Sequence, residues 1–124
     1  MVDDGVPADL RDFILKSIDS VGQLEALLLL RADPGKTWDV AQLARRLYVN
    51  ETEAAAIFAQ LTEQSFAVAA DGSYRYNLAG NKAAIIDRLA EAYARQLIPI
   101  TNLIHAKTRG IRAFADAFKI KRDK

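Results

Sequence analysis

The sequence predicts a mainly helical domain that carries one small β-hairpin and is followed by a helical extension. Apolar residues recur at steps of three and four along most of the chain, the period of a helix with one buried face. Between residues 66 and 78 the period changes to two, as in paired strands. Three capping-box patterns mark helix starts. We therefore expect one domain at residues 8–80 and its extension at residues 81–124.

The first two helices are predicted from apolar spacing and a capping pattern. Ser20 followed by Gln23 opens the second helix, and its four consecutive leucines predict burial on nearly all sides. Pro34 and Gly35 end it, because proline cannot continue a helix and glycine permits a sharp exit. The first helix, residues 8–19, has an apolar face made of Leu10, Phe13, Ile14 and Ile18.

A third and a fourth helix are predicted on either side of a tight turn. Asp39, with a glutamine three residues later, forms a capping box, and Trp38 is placed to pack on Leu43 as a hydrophobic staple. After a break at residues 48–49, Asn50 repeats the cap. The expected inward faces are Val40, Leu43, Ala44 and Leu47 on the third helix, and Ala54, Ile57, Phe58 and Leu61 on the fourth.

The predicted hairpin spans residues 66–78 and turns at Asp71 and Gly72. Tyr74, Tyr76 and Leu78 alternate with polar residues, as expected for a half-buried strand. A two-residue turn and a three-residue turn, Asp71 to Ser73, fit this pattern equally well.

The extension is predicted to be helical from about Asn81, with a kink or division around Ile98 because Pro99 removes a backbone donor. Its apolar seam would either pair two subunits of a dimer or pack against the first helix of its own chain. A short amphipathic helix is expected at residues 111–122. The seam consists of Ile86, Leu89, Tyr93, Leu97, Ile100 and Ile104.

Composition and motifs argue against an enzyme. Hydrophobic content of 51% and charged content of 27% are ordinary for a globular protein, and without cysteine there is no disulfide, thiol catalysis or cysteine-ligated zinc. His105 is the only histidine, and Leu30 stands where a phosphate-binding loop ending at "GKT" needs its first glycine. We expect no metal and no cofactor. The acidic start and the lack of an apolar run of about 20 residues predict a cytoplasmic protein.

The order of predicted elements resembles a winged helix-turn-helix domain. The resemblance lies in "TWDVAQLARRLYVNETEAAAIFAQLTEQSFAV" followed by "DGSYRY", and it covers about residues 37–78. It is similar to small bacterial transcription regulators such as the MarR-type proteins, in which flanking helices form a dimer. The resemblance implies that residues 50–65 are the recognition helix, that residues 66–78 are the wing, and that the protein binds double-stranded DNA in the major groove.

The charge of the recognition helix is unusual for this function. It carries Glu51, Glu53 and Glu63 without any lysine or arginine, so it would repel phosphate. Glu53 can complete the Asn50 cap, and Glu51 is favoured at the positive end of the helix dipole. Phosphate contacts must then come from neighbouring elements. The candidates for DNA binding are Lys36, Arg45, Arg46 and Arg75 for phosphates, and Thr52, Gln60 and Gln64 for base edges.

Three functions follow from these observations. The first is a dimeric DNA-binding regulator whose recognition helices lie roughly 34 Å apart. The second is an adaptor that binds no DNA and docks its acidic helix on a basic protein. The third concerns residues 81–124, which hold ten basic and four acidic residues. Their last helix would bind a protein partner or an anionic membrane, or fold back on the domain, and a membrane contact is the less expected. Its candidate contacts are Ile111, Arg112, Phe114, Phe118, Lys119 and Lys121.

Overall fold

The computed structural model describes residues 5–107, and within them the chain is mainly helical with one small antiparallel sheet. This confirms the predicted class of structure. A sixth helix, α6, follows the elements named below and occupies residues 97–107, up to the end of the described range. The predicted helix at residues 111–122 lies outside the described residues. The other elements are α1 (Ala8–Ser17), α2 (Val21–Ala32), α3 (Val40–Leu47), α4 (Glu51–Glu63), β1 (Ala67–Ala70), β2 (Ser73–Tyr76) and α5 (Ala83–Arg95).

One apolar core joins all six helices and the sheet. The predicted inward faces of α1 and α4 are entirely buried, and on α3 Leu43 and Ala44 are buried while its other two inward residues are partly so. The expectation that α2 is buried on nearly all sides is only partly met, because Leu28 and Leu29 remain partly exposed. Its fully buried leucines are Leu24, Leu27 and Leu30.

The helix caps are local, and two of the three form largely as predicted. The Asp39 carboxylate accepts from the N–H of Gln42 at 2.8 Å, and the Gln42 side chain accepts from the N–H of Asp39 at 2.9 Å, completing a capping box. The Asn50 side chain accepts from the N–H of Glu53 at 2.7 Å. At the start of α2 the Ser20 hydroxyl accepts from the N–H of Gln23, as expected for a capping box. The Gln23 side chain, however, accepts from the N–H of Asp19 and not from that of Ser20.

Gln23 is the one fully buried polar side chain among the described residues. Its amide oxygen accepts from the N–H of Asp19 at 2.7 Å, and its amide nitrogen donates to the Ser17 carbonyl and to the Gln64 side chain, both at 2.9 Å. The Gln64 amide nitrogen also donates to the Ser17 carbonyl, at 2.7 Å. These bonds fasten the end of α4 to the connection between α1 and α2.

The hairpin has the two-residue turn. Ala70 pairs with Ser73, which leaves Asp71 and Gly72 as the loop. Both have positive φ, 53° and 78°, the backbone of a type I′ turn, and glycine adopts it without strain. The strand pattern ends at Tyr76, so Leu78 is 66% exposed and the predicted inward position is wrong.

The hairpin packs on α4 and pairs with the extended segment before α3. The Tyr74 ring stacks on Phe58 of α4, with ring centroids 4.1 Å apart. The backbones of Tyr74 and Trp38 exchange two N–H···O bonds of 2.8 Å each. The extended segment before α3 therefore lies beside β2 as an isolated bridge.

The division of the extension occurs at Gln96, two residues before the predicted position. Since α6 begins at residue 97, Pro99 is the third residue of a new helix. The first N–H groups of a helix have no intrahelical acceptor, so the missing proline donor costs nothing there. The break at Gln96 therefore places Pro99 in the first turn of α6.

The seam of the extension packs within its own chain. Ile86, Leu89, Ile100 and Ile104 are buried in the common core, and Tyr93 is partly buried against it. Of the six seam residues, Leu97 is the most exposed, at 50%. Most of the seam thus packs within its own chain, and little of it is accessible to a second subunit.

Among the helices of residues 5–107, none combines the length and the hydropathy that a membrane span requires.

The Gln23 network yields a prediction on stability. Gln23→Met keeps the side-chain volume but removes the amide oxygen that accepts from the Asp19 N–H and the amide N–H that donates to the Gln64 side chain. We expect a loss of about 1–3 kcal/mol in the free energy of unfolding, measured by urea denaturation. Gln60→Met, which removes an exposed hydrogen bond, is the matched control and should cost less. Equal losses in both variants would contradict the role of burial.

The ion pair between α1 and α5 yields a prediction on pH. The two terminal guanidinium nitrogens of Arg88 donate to the Asp9 carboxylate, at 2.5 and 2.9 Å, and this lowers the pKa of Asp9 from 3.8 to about 2. Because the folded-state pKa is depressed, the pair stabilises the fold above pH 3.8, and this stabilisation is lost as pH falls towards 2. A carboxyl NMR titration should show Arg88→Gln returning the Asp9 pKa towards 3.8, with Arg95→Gln as the unchanged control. An Asp9 pKa near 3.8 in the unaltered protein would refute this assignment.

Candidate nucleic-acid interface

Three of the predicted phosphate contacts lie together on the surface. Lys36, Arg45 and Arg46 line one shallow concavity with Trp38 and Gln42 between them. The two arginines come from the last turn of α3, and the lysine comes from the extended segment before it. All three side chains are exposed. We call these three residues the cationic cluster.

The position of Lys36 is set by an aromatic ring. Its ammonium group lies 4.0 Å from the ring centroid of Trp38, a cation–π contact. Trp38 itself is only 8% exposed and is held by its backbone bridge to Tyr74. The lysine therefore rests on a fixed platform while its charge faces the solvent.

The arginines near this concavity have no acidic partner. Arg45, Arg46 and Arg75 form no ion pair with any residue of the range 5–107. Three arginines elsewhere in that range do: Arg31 with Asp87, Arg88 with Asp9 and Arg95 with Glu91. The charge around the cationic cluster is thus available to an external anion.

Arg75 lies close to the same region but outside the concavity. It follows Tyr74 on β2, so its backbone is one residue from the bridge to Trp38. Its side chain is exposed on the strand face opposite Tyr74 and Tyr76. The bridge between Trp38 and Tyr74 thus brings the backbone of Arg75 close to the extended segment that carries Lys36.

The exposed face of α4 is acidic, as the sequence indicated. Glu51, Glu53 and Glu63 are all exposed, and the first two lie in the first turn of the helix. Carboxylates in a first turn are favoured by the helix dipole. Their local role is therefore to stabilise the helix start, while their charge opposes a close approach of phosphate.

Two of the three predicted base contacts are engaged within the chain. Gln60 donates to the Asp19 carboxylate at 2.6 Å, and Gln64 belongs to the buried network around Gln23. Thr52 is exposed, and its side chain has no hydrogen bond to any described residue. Only the first turn of α4 therefore offers an unengaged polar side chain from the predicted set.

Asp19 connects α4 with the end of α6. Besides Gln60, it accepts from the ammonium group of Lys107 at 2.7 Å, and this bond is the main cause that lowers the pKa of Asp19. Lys107 also donates to the carbonyl of Ile18 at 3.1 Å. The sequence alone indicates a role for neither Asp19 nor Lys107, since 88 positions separate them and no local pattern relates them.

The described surface thus carries two regions of opposite charge, the cationic cluster with Arg75 and the exposed carboxylates of α4. Such an arrangement suits a protein that meets an anion through α3 and the hairpin rather than through the body of α4. Comparison of the chain with protein-family models, with curated proteins and with solved structures gives no match.

The cation–π contact provides a test for the cluster. Trp38 is the only tryptophan, so the tryptophan emission comes from this site alone, and the Lys36 ammonium group lies over its ring. We expect a bound polyphosphate to draw the ammonium group from the ring and change the emission of Trp38. Lys36→Met should abolish this response, and Lys82→Met should retain it. A response that persists in Lys36→Met would show that the change in emission does not arise from displacement of Lys36.

Proposed function

We propose that residues 36–78 form a winged helix-turn-helix unit and that the chain is a DNA-binding transcription regulator. The support is the order of elements, in which α3 and α4 follow an extended segment and precede a hairpin. The bridge between Trp38 and Tyr74 adds to it, because it places that segment beside the hairpin as a third, minimal strand.

The observation that carries the proposal is the cationic cluster. Its three side chains share a concavity, and the arginines lack acidic partners in the described range. Together with Arg75, they would contact the phosphates on either side of a groove that the first turn of α4 enters. Thr52 is then the side chain closest to the base edges, and the glutamates limit how deeply α4 is inserted.

The number of contacts sets the expected salt dependence. Each phosphate contact contributes about −0.9 to the slope of log affinity against log salt, so four contacts predict roughly −3 to −4. Binding should then weaken on the order of 100-fold between about 50 and 200 mM salt. This is a weak and largely sequence-independent interaction, to which a dimer would add a second set of contacts.

A second function is favoured by a different observation. The exposed carboxylates of α4 and the engagement of Gln60 by Asp19 leave this helix poorly suited to bases. An adaptor would use the same carboxylates to bind a basic protein surface. It predicts no binding of duplex DNA even at the lowest salt.

Fluorescence anisotropy of a mixed-sequence DNA duplex, titrated with the protein from about 25 mM salt upward, distinguishes the two functions. We expect Arg45→Gln and Arg46→Gln each to weaken binding and to reduce the salt slope by about 1. Arg95→Gln is the matched control, because this exposed arginine is paired with Glu91 on α5.

The result that contradicts the regulator is an unaltered protein that binds no duplex at the lowest salt, and it would favour the adaptor. Binding that all three arginine variants retain unchanged would instead move the contact away from the cationic cluster.

A further inference from the structure

An apolar groove of about 400 Å³ lies between α2, α3 and α5. Its floor consists of Leu28 and Leu29 from α2, Leu47 from α3 and Tyr93 from α5. All four side chains are only partly buried by the described residues. Leu28 and Leu29 are the outward leucines of the run in α2, a helix whose sequence predicts burial on nearly all sides.

Tyr48 stands at the edge of this groove and projects from the fold. It is 93% exposed, the highest value among the large apolar side chains of the described range. It caps α3 in the left-handed region, at φ 59°, where glycine or asparagine would be less strained. Packing within the described chain does not explain a bulky aromatic residue at such a position.

The groove also carries one charge of each sign. Glu25 and Arg46 both line it, and they form no ion pair with each other or with another described residue. The Tyr93 hydroxyl donates to the Glu25 carboxylate at 3.5 Å, and both residues line the groove. Both charged groups are therefore available for pairing across an interface.

We propose that this groove binds a second copy of the chain. In a two-fold interface the same patch occurs on both sides, so each feature must meet its complement in the other copy. This patch contains a projecting aromatic ring beside a concavity that a ring can fill, and a carboxylate beside a guanidinium. Tyr48 of each copy enters the groove of the other, and Glu25 of each copy faces Arg46 of the other.

The composition and size of the patch agree with this partner. Tyrosine and arginine are the residues most enriched at the energetic centres of interfaces. The patch is smaller than the standard interface of about 20–30 residues a side, so a weak, concentration-dependent dimer is expected. The proposal does not depend on DNA binding, and its surface shares only Tyr93 with the predicted seam, which lies mostly in the core.

Sedimentation equilibrium of the full chain from about 1 µM to 1 mM tests the association. We expect a reversible dimer, weakened at least tenfold by Tyr48→Asn. Asparagine accepts the left-handed backbone, so this variant should remain folded. Leu78→Asn, which also removes a largely exposed apolar side chain, is the control and should leave the dimer unchanged. A monomer at every concentration overturns the proposal.

Charge exchange tests the geometry. Glu25→Arg and Arg46→Glu should each weaken the homodimer, because like charges then face each other across the two-fold axis. An equimolar mixture of the two variants should form a heterodimer with both pairs restored. Glu63→Arg and Arg75→Glu, at exposed positions outside the groove, should each leave the homodimer unchanged, and mixing these two variants should not strengthen the association. A charge-exchange mixture that stays monomeric would refute the facing pair.

Thiol labelling identifies the occupant. The chain has no cysteine, so Leu29→Cys provides a single reporter on the groove floor. Labelling that slows as protein concentration rises supports a second copy. Protection that is independent of concentration would assign the groove to residues 108–124 of the same chain, and full reactivity throughout would leave it unoccupied. Either of the last two results overturns the proposal.

Discussion

The buried amide of Gln23 fixes the position of α4, and the rest of the fold depends on that position. A buried polar group without partners is costly, so the bonds of Gln23 to Ser17, Asp19 and Gln64 must form together. They set the angle at which the end of α4 meets α2. The stacking of Tyr74 on Phe58 then fixes the hairpin against α4, and the backbone bridge to Tyr74 fixes Trp38 beside the hairpin. The position of the cationic cluster therefore depends, through α4 and the hairpin, on a polar network that contains none of its residues.

The same network determines which part of α4 remains free to bind anything. Gln60 and Gln64 near its carboxyl end are engaged by Asp19 and Gln23, whereas its first turn is exposed. That first turn carries carboxylates that also stabilise the helix start. Replacing these carboxylates with cations would increase the attraction to phosphate but would destabilise the start of the helix. This conflict explains why the unpaired cations lie on α3 and the hairpin, where no helix start opposes them.

Local rules predicted much of this structure, and tertiary contacts account for the differences. The caps at Asp39 and Asn50 and the inward face of α4 depend on residues three or four apart, so sequence spacing was sufficient for them. Gln23 matched a cap as well, but its burial depends on Gln64, 41 positions away. The helical periodicity likewise identified the apolar seam of the extension, but it could not show which elements pack against that seam. The candidate site was predictable as a set of cations, and the concavity that gathers three of them depends on how the segment before α3 pairs with β2.

Arg46 belongs to both proposed surfaces, because it lines the concavity of the cationic cluster and the groove of the dimer. Binding at the two surfaces must then be coupled, and the coupling free energy is the same in both directions. If the Arg46 guanidinium binds Glu25 of a second copy instead of a phosphate, dimerisation weakens DNA binding. DNA then weakens the dimer by the same factor. A guanidinium has five N–H donors, however, and one arginine can hold a carboxylate and a phosphate at once. In that geometry the partner fixes Arg46 in place, and the dimer strengthens DNA binding. The sign of the coupling therefore determines whether the chain would meet DNA as a monomer or as a pair.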